Sequence, residues 1–136
     1  MKTIMCFGTF DLLHPGHLNY FEQAKKHGDY LIVVIARDHT KAQMGKKMMF
    51  SEQERLHLVQ SLKIVDKAVL GYPDNHFKII QQEKPDILCL GYDQAVTEKE
   101  LKQNLAKLHL YPEIKRMKAY QPNIYKSSIL KKSLHP

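Results

Sequence analysis

No apolar run in this chain is long enough to cross a membrane. That takes about 18 or more residues, and a stretch such as YLIVVIA at 30–36 is far shorter. The opening MKTIMCFGTFD holds one lysine and a short apolar run, but Gly8 and Asp11 interrupt it before a signal-peptide core forms. A cytoplasmic location and no membrane partner are therefore expected. Cysteine is scarce. Cys6 and Cys89 sit far apart, each inside an apolar run. Two distant cysteines make no metal-site spacing, a disulfide is not expected without secretion, and both read as buried core thiols. Internal repeats, low-complexity segments and linkers are missing. So are a helix-turn-helix pattern, zinc-finger spacing and an RNA-binding aromatic motif, which removes the support for nucleic acid as a partner. Coiled-coil heptads are absent too.

What is present is an excess of positive charge. Lys and Arg number 21 against 14 Asp and Glu, a net charge of +7. That suits an anionic partner, whether nucleic acid, nucleotide or phosphorylated substrate, and does not choose among them. The 136 residues suit one domain with one core, taken as 1–136.

Strands and helices alternate along the chain. KTIMCF at 2–7 reads as a short buried strand ended by Gly8. Residues 15–27 read as a helix, with Pro15 in its first turn, Leu18, Phe21 and Ala24 on one face, and Gly28 as a C-terminal stop. YLIVVIA is apolar throughout, as in a strand covered on both faces. Residues 37–50 are polar and lysine-rich and read as a loop. Ser51 and Glu54 form a capping box that opens a helix with Leu56, Val59 and Leu62 inward. Strand candidates follow at 66–71, 85–91 and 112–118. Helices are expected over 74–83, with Phe77 and Ile80 inward, over 97–109, and in a short piece capped by Ser127. This order predicts an α/β fold, a Rossmann-like three-layer sandwich with a five-stranded parallel sheet and helices on both faces. Ligands bind beyond the C-terminal strand ends in such sheets. Gly8–Asp11, Arg37–Asp38 and Gly91–Asp93 all fall there.

GTFDLLHPGH, residues 8–17, puts His14 and His17 where the first strand hands over to the first helix. Positions three apart share a helix face. A helix start offers free backbone N–H groups and a positive dipole end, which favours phosphate. Gly8 would let the backbone approach a ligand, and Gly16 would keep the space between the imidazoles open. Imidazoles donate hydrogen bonds and add charge when protonated, which fits stabilisation of a reacting phosphoryl group. A zinc site would need a third ligand, for which Asp11 is the nearby candidate. Histidines that merely cap the helix are the other reading.

GTFDLLHPGH resembles the GxFDxxHxGH signature of the cytidylyltransferase-like nucleotidyltransferases, and the likeness runs along nearly the whole chain. The resemblance implies attack of a substrate phosphate on the α-phosphorus of ATP or CTP, with pyrophosphate released and magnesium accompanying the triphosphate. It implies that His14 and His17 contact the triphosphate and stabilise the pentacoordinate transition state. Thr9 and Phe10 would lie along the nucleotide, with Gly8, Asp11 and Gly16 beside them. Homodimers are common among the small relatives, so a homodimer is expected.

Other residues complete the expected site. Lys46 and Lys47 resemble the loop lysine that reaches a phosphate in glycerol-3-phosphate cytidylyltransferases, although a lysine pair is also an ordinary solvated face. Arg55 in SEQER resembles the helix arginine that points into the family's site; a surface arginine is the alternative. Lys126–Ser127–Ser128 resembles the family's Ser/Thr-rich helix start that binds phosphate, although AYQPNIY replaces the usual R-T-E-G lead-in. Asp11 and Asp38 are the acidic candidates, for metal or for fixing turns. GYDQ at 91–94 resembles the matching segment of archaeal-type FAD synthases, which join FMN to the AMP moiety of ATP. With it Gly91 and Asp93 are placed at the nucleotide, and Tyr92 either stacks on a ring or packs in the core. A glycerol-3-phosphate cytidylyltransferase keeps the same chemistry with other substrates. A nucleic-acid-binding module and a nucleotide sensor without turnover are the readings outside catalysis.

Overall fold

The computed structural model describes residues 1–43, 45 and 47–121. Ten elements follow one another: β1 (Thr3–Gly8), α1 (Pro15–Lys25), β2 (Tyr30–Ile35), α2 (Asp38–Gln43), α3 (Glu52–Gln60), β3 (Lys67–Leu70), α4 (Lys78–Glu83), β4 (Ile87–Leu90), α5 (Glu98–Ala106) and β5 (Glu113–Arg116). The five strands form one sheet in the order β3-β2-β1-β4-β5, and every pairing is parallel. This is the α/β architecture expected from the alternation.

Side-chain alternation splits the core in two. Ile4, Cys6, Leu31, Val33, Ile35, Ile87 and Cys89 face one way and meet Tyr20, Phe21 and Ala24 of α1 and Val59 of α3. Met5, Ile32, Val34, Leu88 and Leu90 face the other way and meet Ile79 and Ile80 of α4 and Leu101 and Leu105 of α5. A strand inside a covered parallel sheet is apolar at every position because both faces are dry. Cys6 and Cys89 are register partners and free, buried thiols.

Several details depart from the sequence reading. Residues 37–50 contain a helix, α2. Its six residues carry little apolar periodicity; α2 and α3 instead cap each other, backbone N–H to carboxylate, at their starts. The Asp38 N–H donates to Glu52 Oε1 and the Glu52 N–H donates to Asp38 Oδ2, at 3.0 and 2.9 Å. α4 begins at Lys78 rather than near 74, because Asn75 accepts from the Phe77 N–H in a turn of its own. Gly28 is not a left-handed cap. A Cβ there would lie 2.6 Å from the Ile4 side chain and 2.9 Å from the Lys2 carbonyl, so glycine lets the chain cross close to β1. The expected helix at Ser127 lies outside the described residues.

The strand order decides where a ligand fits. The chain leaves β1 towards β2 and β3, then returns to place β4 on the other side of β1. The crevice of such a sheet opens at this reversal, beyond the C-terminal ends of β1 and β4. GTFDLLHPGH follows β1 and GYDQ follows β4.

Candidate active site

His14 is the N-cap of α1, in extended backbone at φ −149° and ψ 170°. Its Nδ1 accepts from the Gly16 N–H at 3.0 Å. His17, one turn on, accepts from the His14 N–H through Nδ1 at 3.3 Å. A ring nitrogen that accepts cannot carry a proton, so in both neutral rings the proton sits on Nε2. The rings stack with centroids 3.8 Å apart and planes 25° from parallel. Burial lowers the His17 pKa from 6.5 to about 3, and the neighbouring His14 adds to the shift. Burial also lowers His14, against a pull upward from Asp93. The pair therefore presents neutral Nε2–H donors at a helix N-terminus near pH 7. The charge expected from protonated imidazoles is not available, and no gap separates the rings at Gly16.

The β1–α1 loop is braced from below. Phe10 takes the left-handed conformation, φ 55°, a strain of about 1–3 kcal/mol for a bulky residue. That turn folds its ring back beneath Gly8, where a Cβ would fall 2.5 Å from it. The ring meets His17 edge-on and Phe21, each at 5.2 Å between centroids. Phe10 is 3% exposed, so it supports His17 instead of lining a nucleotide, and Gly8 is small to admit Phe10. Asp11, also 3% exposed, accepts from the Met49 and Phe50 N–H groups at 2.8–3.0 Å. It ties segment 47–50, with the exposed Lys47, to the histidine loop. Lys46 lies outside the described residues.

Arg55 is fully buried. It shares the sheet-facing side of α3 with Val59, four residues on. Its Nη1 donates to the Thr9 and Ala36 carbonyls, both at 2.8 Å. Nε donates to the Phe50 carbonyl and Nη2 to Asp38 Oδ1, at 3.2 and 2.6 Å. Burial alone would raise the Asp38 pKa, but the Glu52 N–H and Arg55 hold it below the usual value. The expected placement of Arg55 pointing into the site is thus corrected. It lies beneath the site and joins the ends of β1 and β2 to the start of α3.

The wall after β4 is built differently. Tyr92 is 39% exposed, and Asp93 is exposed yet close enough to affect His14 electrostatically. Burial raises the Tyr92 pKa, and Asp93 adds to the effect. Gln94 accepts from the Gly91 N–H at 3.0 Å and donates to the Phe7 carbonyl at 2.7 Å, bridging β4 to β1. Arg116, the last residue of β5, donates to the carbonyls of Gly91, Gln94 and Val96 at 2.6–2.9 Å. Beneath the seam, the Tyr20 hydroxyl donates to the Cys89 carbonyl at 2.7 Å.

A family model described as cytidylyltransferase-like matches residues 5–133. The chain belongs to the cytidylyltransferase-like family. It is 41% identical over 131 residues to a FAD synthase of Picrophilus torridus, spanning 96% of this chain and 94% of that protein. It is 42% identical over 134 residues to a FAD synthase of Thermoplasma acidophilum, spanning 98% and 94%. A crystal structure described as the lipopolysaccharide core biosynthesis protein from Thermoplasma volcanium matches with a TM-score of 0.87 and 44% identity, over 89% of this chain and 99% of that one.

Within this family fold, the described structure gathers His14, His17, Gly16, Asp93 and Tyr92 around the β1–β4 crevice and sets Phe10, Asp11 and Arg55 behind it. Ser127 and Ser128 lie outside the described residues. Sequence reasoning missed Arg116 and assigned no task to Gln94. Gln94 stood inside a quoted motif, whereas Arg116 in EIKR carries no local sign of its loop contacts. Among the described residues no three His, Cys, Asp or Glu side chains gather to hold a metal, and none of the helices is long and apolar enough to cross a membrane.

Proposed function

We propose that this chain transfers AMP from ATP to the phosphate of FMN, giving FAD and pyrophosphate, and that it acts as a single nucleotidyltransferase domain. The likeness to FAD synthases along nearly the whole chain carries the choice of acceptor. The paired Nε2–H donors of His14 and His17 support the chemistry.

In this reading an FMN phosphate oxygen attacks the α-phosphorus of ATP in line with the departing pyrophosphate. One P–O bond forms as another breaks, and negative charge builds on the α-phosphoryl oxygens. Transfer without a covalent enzyme intermediate needs positioning and charge stabilisation above all. The His14 and His17 donors supply that stabilisation without a proton changing hands. The start of α1 adds only its positive dipole end, since its first N–H groups are already spent on the His14 and His17 rings and the His14 carbonyl. Their fixed tautomers keep the donors aimed before substrate arrives. Asp93 and Tyr92 would meet the nucleoside end, and Lys47 and Lys46 the phosphates. Asp11 already accepts from two backbone N–H groups, which suits it poorly to bind a metal. Magnesium enters in this reading with the triphosphate, as part of the substrate. A homodimer belongs to the same reading and is checked by sedimentation.

The test crosses ATP and CTP against FMN and glycerol 3-phosphate, with magnesium, and follows pyrophosphate release and product mass. FAD from ATP and FMN is expected. Product only from CTP and glycerol 3-phosphate would replace this reading with the cytidylyl one.

A further inference from the structure

We infer that Arg116 is a positioning residue for the nucleoside triphosphate: it fixes the loop after β4 that carries Tyr92 and Asp93. The inference rests on the adenylyl-transfer reading, since it assigns Tyr92 and Asp93 to the nucleotide.

Residues 91–97 form neither helix nor strand. A loop of this kind keeps one shape only if something holds its backbone. On the inner side Gln94 does so, through Gly91 and Phe7. On the outer side it is Arg116. Its Nη1 donates to the Gly91 and Gln94 carbonyls at 2.9 and 2.8 Å, and its Nη2 to the Val96 carbonyl at 2.6 Å. Nε donates to Glu98 Oε1 at 3.0 Å, and Nη2 reaches the same oxygen. Glu98 opens α5, just after the Thr97 N-cap. One side chain therefore links the end of β5, the loop after β4 and the start of α5.

A planar guanidinium is suited to this task because its donors leave in a fixed fork. Lysine, with a single ammonium, cannot hold three carbonyls along a loop in the same way. Glu98 orients the guanidinium before any ligand binds. The Arg116 side chain is 27% exposed, so water can reach this edge when the side chain is removed. Its loss thus frees the loop more than it harms the core. Asp93 acts on His14 from within this loop, so a loop that wanders changes the field at the triphosphate site.

The experiment uses the whole chain with Arg116→Ala, Arg116→Lys and Glu98→Gln. ATP affinity is measured by calorimetry with magnesium and no FMN, and kcat and KM with both substrates. For R116A the ATP Kd and KM should rise about tenfold or more while kcat at saturating ATP stays within about threefold. R116K should show a similar defect, and millimolar guanidinium should restore ATP affinity to R116A without improving the wild type. E98Q should shift ATP affinity in the same direction by about twofold. Unchanged ATP affinity in R116A, with kcat falling only as far as the folded fraction, would overturn the inference. If R116A does not fold, unchanged ATP affinity in E98Q overturns it. A wild-type chain that binds ATP but makes no FAD defeats the acceptor reading and leaves the ATP affinities of the variants to decide on Arg116. A wild type that does not bind ATP overturns both.

Discussion

Arg55 and Arg116 brace opposite sides of the β1–β4 crevice, one sealed from water and the other at its edge. The Arg55 side chain is 0% exposed and that of Arg116 27%. Each spends its guanidinium on backbone carbonyls and one carboxylate. The surroundings make the consequences differ. A buried guanidinium costs several kcal/mol in lost hydration, returned only while every bond is made. Removing it leaves the Thr9, Ala36 and Phe50 carbonyls without their donor and a void where a side chain wholly shut off from water had been. The carbonyls held by Arg116 can turn to water instead. The first wall is part of what keeps the molecule folded; the second gives a loop its shape.

The largest effect should come from breaking the buried side. Arg55→Leu should lower stability by about 2–4 kcal/mol, read from urea denaturation, because three backbone carbonyls lose their donor. A loss below about 1 kcal/mol would show that the two arginines do not differ in kind. Next comes the histidine pair that this wall carries. His14→Ala should cut turnover about a hundredfold with folding retained, because a transition-state donor is lost. Normal turnover in a folded variant would remove His14 from the chemistry. Asp11→Asn should cost about 1–3 kcal/mol, since an amide offers one acceptor oxygen where two carboxylate oxygens now serve Met49 and Phe50. Amide exchange should rise at those two residues and stay unchanged in the loop after β4. Equal exchange gains in both loops would mean that the walls are not independent.

The last effect is a pH slope. His17 titrates near 3 when folded and at an ordinary 6.5 when unfolded. Between these values the unfolded chain holds more protons. Stability therefore falls as pH drops from about 6.5 towards 3, and that contribution is fully present above 6.5. His17→Asn should flatten part of this slope, seen as a smaller difference in urea midpoint between neutral and mildly acidic solution. An identical slope in wild type and variant would mean that His17 is not held neutral by its surroundings.

Much of this arrangement was readable along the chain. YLIVVI and ILCL are apolar at successive positions because both faces of their strands are covered, and that pattern is local. The Ser51–Glu54 capping box is local too, and both of its reciprocal bonds form. α2 was not readable, because its start is capped by Glu52 from the next helix. The sequence suggests Gly8 as room for a ligand, yet it makes room for Phe10, whose left-handed turn has no sequence signature. The resemblance implies that Arg55 points into the site. Which face of α3 meets the sheet sets its direction, and a single arginine on an amphipathic helix does not announce that.

The sequence by itself determined the alternation of strands and helices, and with it a parallel α/β sheet. It also determined the motif GTFDLLHPGH at the first strand-to-helix turn. These rest on periodicity and on contacts between residues a few positions apart. The tertiary structure alone decided that β4 returns beside β1 and brings Asp93 to His14. It also decided that burial keeps the histidines neutral, and that arginines from α3 and β5 brace the two loops. Desolvation and hydrogen-bond partnership depend on what lies nearby in space, and the residues concerned lie far apart along the chain, as Thr9 and Arg55 do at 46 positions and Phe7 and Gln94 at 87.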